Sequence, residues 1–263
     1  ADLEEASCTR YFILGGENLL TKQVTPWRVL APQTVLVNEY GPTETVVGCS
    51  AYFTPPGELD SASVSIGRPI ANTQLYILDR NLQPTPIGVT GELYIGGVGV
   101  APGYLNRPAL TETKFIPNPF IPEGTSDPRV SSRLYRSGDL ARYRSDGNIE
   151  YLGRIDHQVK IRGYRVELEE IETVLRGHPR LREVVVLAEE ASEGTRLVAF
   201  VVANGGLEPP SASDLQDYLR SKLPEYMQPS VFVLVDRIPQ AASGKVDRHR
   251  LQSMLQSGVE LKR

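Results

Sequence analysis

Gly153-Arg154-Ile155-Asp156 is the stretch at which the pattern of the chain changes, and its reading decides the fold. Before it, short apolar runs are cut by Gly and Pro. After it, from about residue 157, the periodicity predicts strand, helix, strand, strand, helix, strand. In the first of these helices Leu168, Ile171, Val174 and Leu175 share one face, glutamates crowd the start where the dipole favours them, and Gly177 and Pro179 stop it. Val184 to Ala188 and Leu197 to Ala203 are apolar strands. Leu215, Tyr218, Leu219 and Leu223 face one way on a second helix ended by Pro224, and Val231 to Val235 closes the set. Residues 156–263 are therefore predicted to form a small α+β unit of ordinary domain size. Residues 1–155 are predicted to be β-rich.

In that first part, Thr34-Val35-Leu36-Val37 is a compact apolar run that ends at Asn38-Glu39-Tyr40-Gly41-Pro42, the pattern of a buried strand whose loop projects functional groups. Gln74 to Leu78 and Glu92 to Ile95 read as two more strands followed by turn residues. Phe115 to Arg133 holds four prolines and few helix formers, so it is expected to be an exposed loop. Asp146-Gly147, flanked by Leu140 to Tyr143 and Asn148 to Leu152, is the clearest hairpin signal in the chain, since both turn positions tolerate positive φ. No internal repeat is visible.

Composition narrows the function. In 263 residues, 23 Gly and 20 Pro fall short of the roughly 25–30% that marks low complexity. With 28 basic against 32 acidic residues the net charge is −4, so there is no bulk positive field for nucleic acid or an anionic membrane. Any anion must be held locally. Two cysteines, Cys8 and Cys49, make no disulfide framework, and no apolar run reaches a membrane span or a signal peptide. A reducing, cytoplasmic setting is the expectation. The chain opens at Ala1 without Met, which suggests part of something longer.

Several familiar templates fail. Gly97-Val98-Gly99 begins a dinucleotide fingerprint, but Pro102 stands where its last Gly belongs. Ser243-Gly244-Lys245-Val246 lacks the upstream Gly and the following Ser or Thr of a phosphate loop. His157, His178 and His249 are dispersed, with no helical partner for a zinc site or a His-based nucleophile. Asn38 to Thr45 alone is only a polar turn, and Asp139 within Tyr135-Arg136-Ser137-Gly138-Asp139 alone is only a capping acid.

Taken together, these segments stop being anonymous. Asn38-Glu39-Tyr40-Gly41-Pro42-Thr43-Glu44-Thr45, then Gly91-Glu92-Leu93-Tyr94-Ile95-Gly96-Gly97 running to Gly103-Tyr104-Leu105, then Tyr135 to Asp139, then Gly153 to Glu167, then Ser243-Gly244-Lys245 stand in the order and spacing of adenylate-forming enzymes. They resemble most closely the amino-acid-activating adenylation domains of nonribosomal peptide synthetases, over Phe12 to Leu251. One departure is Pro102, where that family usually has Arg. Another is that the family's phosphate loop and its amine-binding Asp would lie upstream of Ala1, so the resemblance implies that the chain is the C-terminal half of such a domain: residues 1–155 the last part of its large α/β core, and residues 156–263 its small α+β lid domain.

The resemblance implies ATP and Mg²⁺ as cofactors, and attack of an amino acid carboxylate on the α-phosphate. It implies that Gly15, Gly16 and Glu17 line the adenine side, that Asn38 and Tyr40 hold the adenine, and that Gly41 and Tyr151 belong to the same nucleotide surface. Thr43 would meet the α-phosphate and Glu44 would hold Mg²⁺, a hard cation that prefers oxygen. Asp139 would accept from the ribose hydroxyls, Arg154 would support the ribose, and Lys245 would be the catalytic cation. The small C-terminal domain would be mobile about a hinge at Asp156, and the strand around Gly163 would line the tunnel for a carrier protein's phosphopantetheine thiol.

Ile13, Gly15, Glu39, Val47 and Gly48 map onto the family's substrate pocket. A carboxylate such as Glu39 is costly to bury unpaired, so the expected amino acid carries a cation or donor: Arg, Lys, ornithine or a hydroxylated aromatic. The partners implied are that amino acid, a carrier protein, and the N-terminal half of the domain. The alternatives are an acyl-CoA or aryl-acid ligase of the same fold, and a non-catalytic fragment lacking the phosphate loop.

Overall fold

The computed structural model describes residues 9–256, except 58, 60, 122–131, 157, 162, 192, 193, 207, 242 and 243. Ser243, His157 and Arg162 of the quoted motifs, and Cys8, therefore lie outside the described residues. The chain is a sheet-rich α/β arrangement that divides into two compact units, Ala1–Asp156 and His157–Arg263.

The first unit contains two sheets. One runs in the order β1 (Tyr11–Gly15), β2 (Val35–Tyr40), β3 (Ser50–Phe53), β4 (Arg68–Pro69), with β1 and β2 parallel and the rest antiparallel. Parallel neighbours need a crossover, supplied here by helix α1 (Thr21–Leu30), which buries Val24 with Leu36 and Val64 beneath Phe12, Leu14 and Trp27. The second sheet has β5 (Thr73–Leu78), β6 (Gly91–Gly97), β7 (Phe115–Pro117), β8 (Arg133–Tyr143) and β9 (Ile149–Arg154). Its order is β5-β6-β8-β7, with β9 also on β8. Ile77, Leu93, Ile95, Tyr135 and Ile149 form its core. A short helix, α2 (Pro108–Lys114), precedes β7.

Two expectations need correction here. The start of the proline-rich stretch is not exposed loop: Phe115 is buried in β7 and pairs with Tyr135, and Phe120 stacks on Tyr76. Residues 122–131 of that stretch lie outside the described residues. The turn between β8 and β9 also differs in kind. Only Gly147 has positive φ, its amide donates to the Arg144 carbonyl and the Asn148 amide to Asp146 Oδ1. This is a longer turn with glycine in the left-handed position, not a two-residue loop with both positions inverted.

In the second unit β10 (Val159–Ile161) and β11 (Tyr164–Val166) form a hairpin around Gly163. Helix α3 (Leu168–Arg176) leads to a sheet of β12 (Leu181–Ala191), β13 (Gly194–Ala203) and β14 (Val231–Leu234). Helix α4 (Ala212–Arg220) is capped by Ser211, whose side chain accepts from the Asp214 amide. It ends at Arg220, one turn before Pro224, so Leu223 packs from beyond the helix. Val184, Val186, Ala199 and Val201 pack with α3 and α4; Val185, Leu187, Val198 and Phe200 pack with Leu251 of a third helix, α5 (Arg248–Gln256). That third helix was not expected from the sequence pattern, nor were α1 and α2. No helix among the described residues is long and apolar enough to cross a membrane.

Candidate active site

Because β1 and β2 are parallel, their carboxyl ends lie on the same sheet edge, where ligands of open α/β sheets characteristically bind. Gly15, Gly16 and Glu17 end or follow β1, and Asn38, Glu39 and Tyr40 end β2. The register places Gly15 opposite Glu39 and Ile13 opposite Val37.

Tyr40 reaches from the first sheet to the second. Its hydroxyl donates to Asp139 Oδ2, while Asp139 Oδ1 accepts from Arg154 Nη1 at 2.7 Å. Asp139 and Arg154 face each other across the β8–β9 register. Arg154 also donates to both oxygens of Asp156, from Nε at 2.6 Å and Nη2 at 2.8 Å, and to the Ser137 carbonyl at 3.0 Å. Ser137 Oγ accepts the Asp139 amide and donates to the Leu93 carbonyl at 2.6 Å, which fixes the β8 backbone under the acid.

Burial, reinforced by the neighbouring Asp139 charge, pushes the Tyr40 phenol well above its ordinary pKa, so it stays a donor. Burial works against the Arg154 charge, but the hydrogen bonds to Asp156 and the charge of Asp139 outweigh it and hold the guanidinium up. Tyr151, on β9, brings its ring to 6.2 Å from that of Tyr40.

Asn38 is buried, and its amide nitrogen donates to the Ser65 carbonyl at 2.9 Å and to the Val64 carbonyl at 3.3 Å. Those bonds orient the carboxamide and make Oδ1 its acceptor. Beyond Gly41 and Pro42, residues Thr43–Thr45 form a single 3-10 turn with Thr43 exposed and Glu44 buried. Glu44 Oε1 accepts from the Tyr104 hydroxyl at 2.6 Å, and the Glu44 carbonyl from the Ala101 amide at 2.9 Å. Burial, and then this hydrogen bond, raise the Tyr104 phenol. Tyr104 was not among the residues expected from the sequence. At the departure noted above, the Pro102 carbonyl accepts from Arg133 Nη2 at 2.7 Å.

The turn continues through Val46 and Val47, both with positive φ, 76° and 65°. Two consecutive β-branched residues in the left-handed region cost about 1–3 kcal/mol each, which the surrounding bonds must offset. The Val47 amide donates to Pro42 and that of Gly48 to Val46. A Cβ on Gly48 would lie 2.2 Å from Glu39 Oε1, so the absent side chain is what admits the glutamate. Gly15 and Gly48 thus both border Glu39, while Ile13, paired with Val37, is exposed like Val47.

In the second unit Lys245 is exposed on a tight loop: its carbonyl accepts from the Ala241 amide at 2.8 Å, and Val246 bridges Gln240. Gly163, with φ +80°, turns the β10–β11 hairpin, where Tyr164 stacks on Tyr226 at 4.1 Å.

Residues 2–105 match the family described as AMP-binding enzyme, and residues 170–245 the family described as AMP-binding enzyme C-terminal domain. The chain belongs to the AMP-binding enzyme family. It is 47% identical over 249 residues to tyrocidine synthase 3 of Brevibacillus parabrevis, covering 94% of this chain and 4% of that protein. To bacitracin synthase 3 of Bacillus licheniformis it is 47% identical over 245 residues, covering 92% and 4%. Among solved members, it superposes on holo-PA1221, an NRPS protein containing adenylation and PCP domains, with a TM-score of 0.80 and 31% identity over 96% of this chain and 42% of that one. The Vibrio cholerae adenylation domain AlmE, solved with glycyl-adenosine-5'-phosphate, gives 0.78 and 30% over 97% and 47%. The chain therefore spans a small fraction of those synthases and under half of those solved chains.

Proposed function

We propose that this chain supplies the nucleotide-holding end and the lysine-bearing domain of an amino-acid-activating adenylation enzyme of nonribosomal peptide synthesis. The enzyme joins an amino acid carboxylate to the α-phosphate of ATP with release of pyrophosphate, and then passes the aminoacyl group to the phosphopantetheine thiol of a carrier protein with release of AMP. The observation that carries the reading is the Tyr40–Asp139–Arg154 network at the carboxyl end of two parallel strands. The similar AlmE structure, which holds an aminoacyl adenylate, supports it, as does the NRPS protein that joins adenylation and PCP domains.

Both reactants are anions, so catalysis is mainly positioning and charge stabilisation. Asp139, fixed from both sides, accepts from the ribose hydroxyls; Arg154 holds Asp139 and supports the sugar. Asn38 Oδ1 accepts from the adenine amino group, against the ring of Tyr40, with Gly15, Gly16, Glu17, Gly41 and Tyr151 around it. Thr43 donates to the α-phosphate. Lys245 brings a compact positive charge to the carboxylate and phosphate oxygens as the new bond forms.

Mg²⁺ fits one residue here. Among the described residues no three His, Cys, Asp or Glu side chains gather as a cage. Mg²⁺ in nucleotide enzymes is characteristically held by one or two carboxylates plus substrate phosphates, and the buried, Tyr104-held Glu44 carboxylate suits that donor set. When bound, the ion would neutralise phosphate charge. Gly163, in the second unit, would line the thiol path, and Asp156, the last residue of the first unit, would be the hinge. Glu39, between Gly15 and Gly48, selects a substrate side chain that carries a cation or donor.

The test is amino-acid-dependent exchange of labelled pyrophosphate into ATP by the intact protein. Exchange with one or a few amino acids is expected. No exchange with any amino acid, or ligation of a fatty or aryl acid to coenzyme A instead, contradicts the reading. ATP binding by this chain alone, compared with the intact protein, separates an incomplete site from a non-catalytic one.

A further inference from the structure

Glu172 is a carboxylate on the buried face of α3, among Leu168, Ile171 and Leu175. The edge of the neighbouring sheet explains it. β12 is an edge strand, and unpaired edge amides and carbonyls away from water must find partners. The Val186 amide donates to Glu172 Oε1 at 3.0 Å, and the Val186 carbonyl accepts from Arg248 Nη1 at 3.0 Å. Arg248 Nη2 lies 3.6 Å from Glu172 Oε1, and Glu172 Oε2 accepts from Arg176 at 2.6 Å. An ion pair thus stands where a further strand would pair.

Arg248 opens α5 three residues after Lys245. Between them Asp247 caps the helix by accepting from the Arg250 amide at 3.0 Å, and its own amide donates to the Pro239 carbonyl at 2.9 Å. The lysine loop is therefore closed on itself through Gln240–Val246 and fastened at its outgoing end, through Arg248, to the middle of β12. Apolar packing would leave the Val186 amide and carbonyl unpaired, and it would not fix the direction from which the loop leaves the sheet.

We infer that Arg248 and Glu172 are positioning residues for Lys245, locking its loop to the β12 edge so that the ammonium is presented at one place. This rests on the reading of Lys245 as the adenylation lysine. The experiment uses the intact protein with Lys245→Ala, Arg248→Ala and Glu172→Gln. It measures pyrophosphate exchange and, separately, transfer from supplied aminoacyl adenylate to the carrier thiol. A misplacement of about 1 Å costs roughly 10²-fold, so Arg248→Ala should lower the kcat of exchange by about 10–100-fold, with KM for the amino acid moved less than about twofold. Glu172→Gln, which keeps an acceptor for Val186 but gives up the charge, should fall between Arg248→Ala and wild type, and serves if Arg248→Ala does not fold. Transfer to the thiol should stay near wild type for both. Equal loss of both half-reactions, as general loosening would give, overturns the inference. So does full exchange in Arg248→Ala and Glu172→Gln while Lys245→Ala is inactive. Full exchange in Lys245→Ala overturns the underlying reading instead.

Discussion

Tyr40, at the end of β2, donates its hydroxyl to Asp139 in β8, so one hydrogen bond ties the two sheets of the first unit together at the proposed ribose carboxylate. The bond aims Asp139 from one side while Arg154 aims it from the other. Tyr40→Phe keeps the ring and removes this donor. A hydrogen bond to a charged group contributes about 1.5–3 kcal/mol, so denaturant titration should show a loss of that order. The KM for ATP should rise with it. An unchanged KM would separate this bond from nucleotide binding.

The Tyr104–Glu44 hydrogen bond gives a sharper test of the proposed Mg²⁺ carboxylate. In Tyr104→Phe, Glu44 keeps its charge and loses a donor that orients it. The Mg²⁺ concentration for half-maximal pyrophosphate exchange should rise severalfold, with KM for ATP at saturating Mg²⁺ little changed. An unmoved Mg²⁺ midpoint would remove Glu44 from the metal.

Selectivity should follow Glu39 and the space beside it. Gly48→Ala places a methyl group against Glu39 Oε1 and forces the carboxylate to swing. Because a polar group left unpaired discriminates strongly, Gly48→Ala and Glu39→Ala should each change the ranking of amino acids by about 10-fold or more. KM for ATP should stay put. An unaltered preference across a panel of amino acids would exclude Glu39 as a determinant.

Alkali should loosen the first unit. Cys49, buried and donating to the Tyr40 carbonyl, is pushed from 9.0 to about 12 by burial, and Tyr40 is pushed up for the same reason. Each is neutral when protonated and holds its proton longer in the folded chain. Their contribution is therefore complete below the unfolded pKa, near 9 for the thiol, and is lost as pH rises toward about 12. Melting temperature should fall over that window, less steeply in Cys49→Ala. A flat profile would contradict the burial of both groups.

What was legible in the sequence, and what was not, follows physical lines. Strands β2, β5 and β6 announced themselves because turn residues bound their apolar runs. The β8–β9 hairpin was marked by Asp146-Gly147, although only Gly147 takes the inverted conformation. Helix α1 was hidden by Pro26 in its interior, which reads as a breaker until α1 is seen to bury Val24 against the parallel strands. Helix α5 had a signal that went unused: Val184-Val185-Val186-Leu187 is apolar at every position, so both faces of β12 required cover.

The acids and rings of the candidate site were suggested only by the family resemblance, since Tyr40 and Asp139 are separated by most of the first unit in sequence. Tyr104 and Arg248 escaped because their roles exist only in space. An aromatic residue 60 positions from Glu44 and an arginine on a sheet edge have no local pattern to betray them.

The most direct test is chemical detection of the product. The intact protein, given ATP, Mg²⁺ and amino acids, is quenched and searched by mass spectrometry for an aminoacyl adenylate. An aminoacyl adenylate is expected from one or a few of the amino acids, and it should be lost in both Lys245→Ala and Asp139→Ala. No adenylate from the wild type, or undiminished adenylate in both variants, would contradict it.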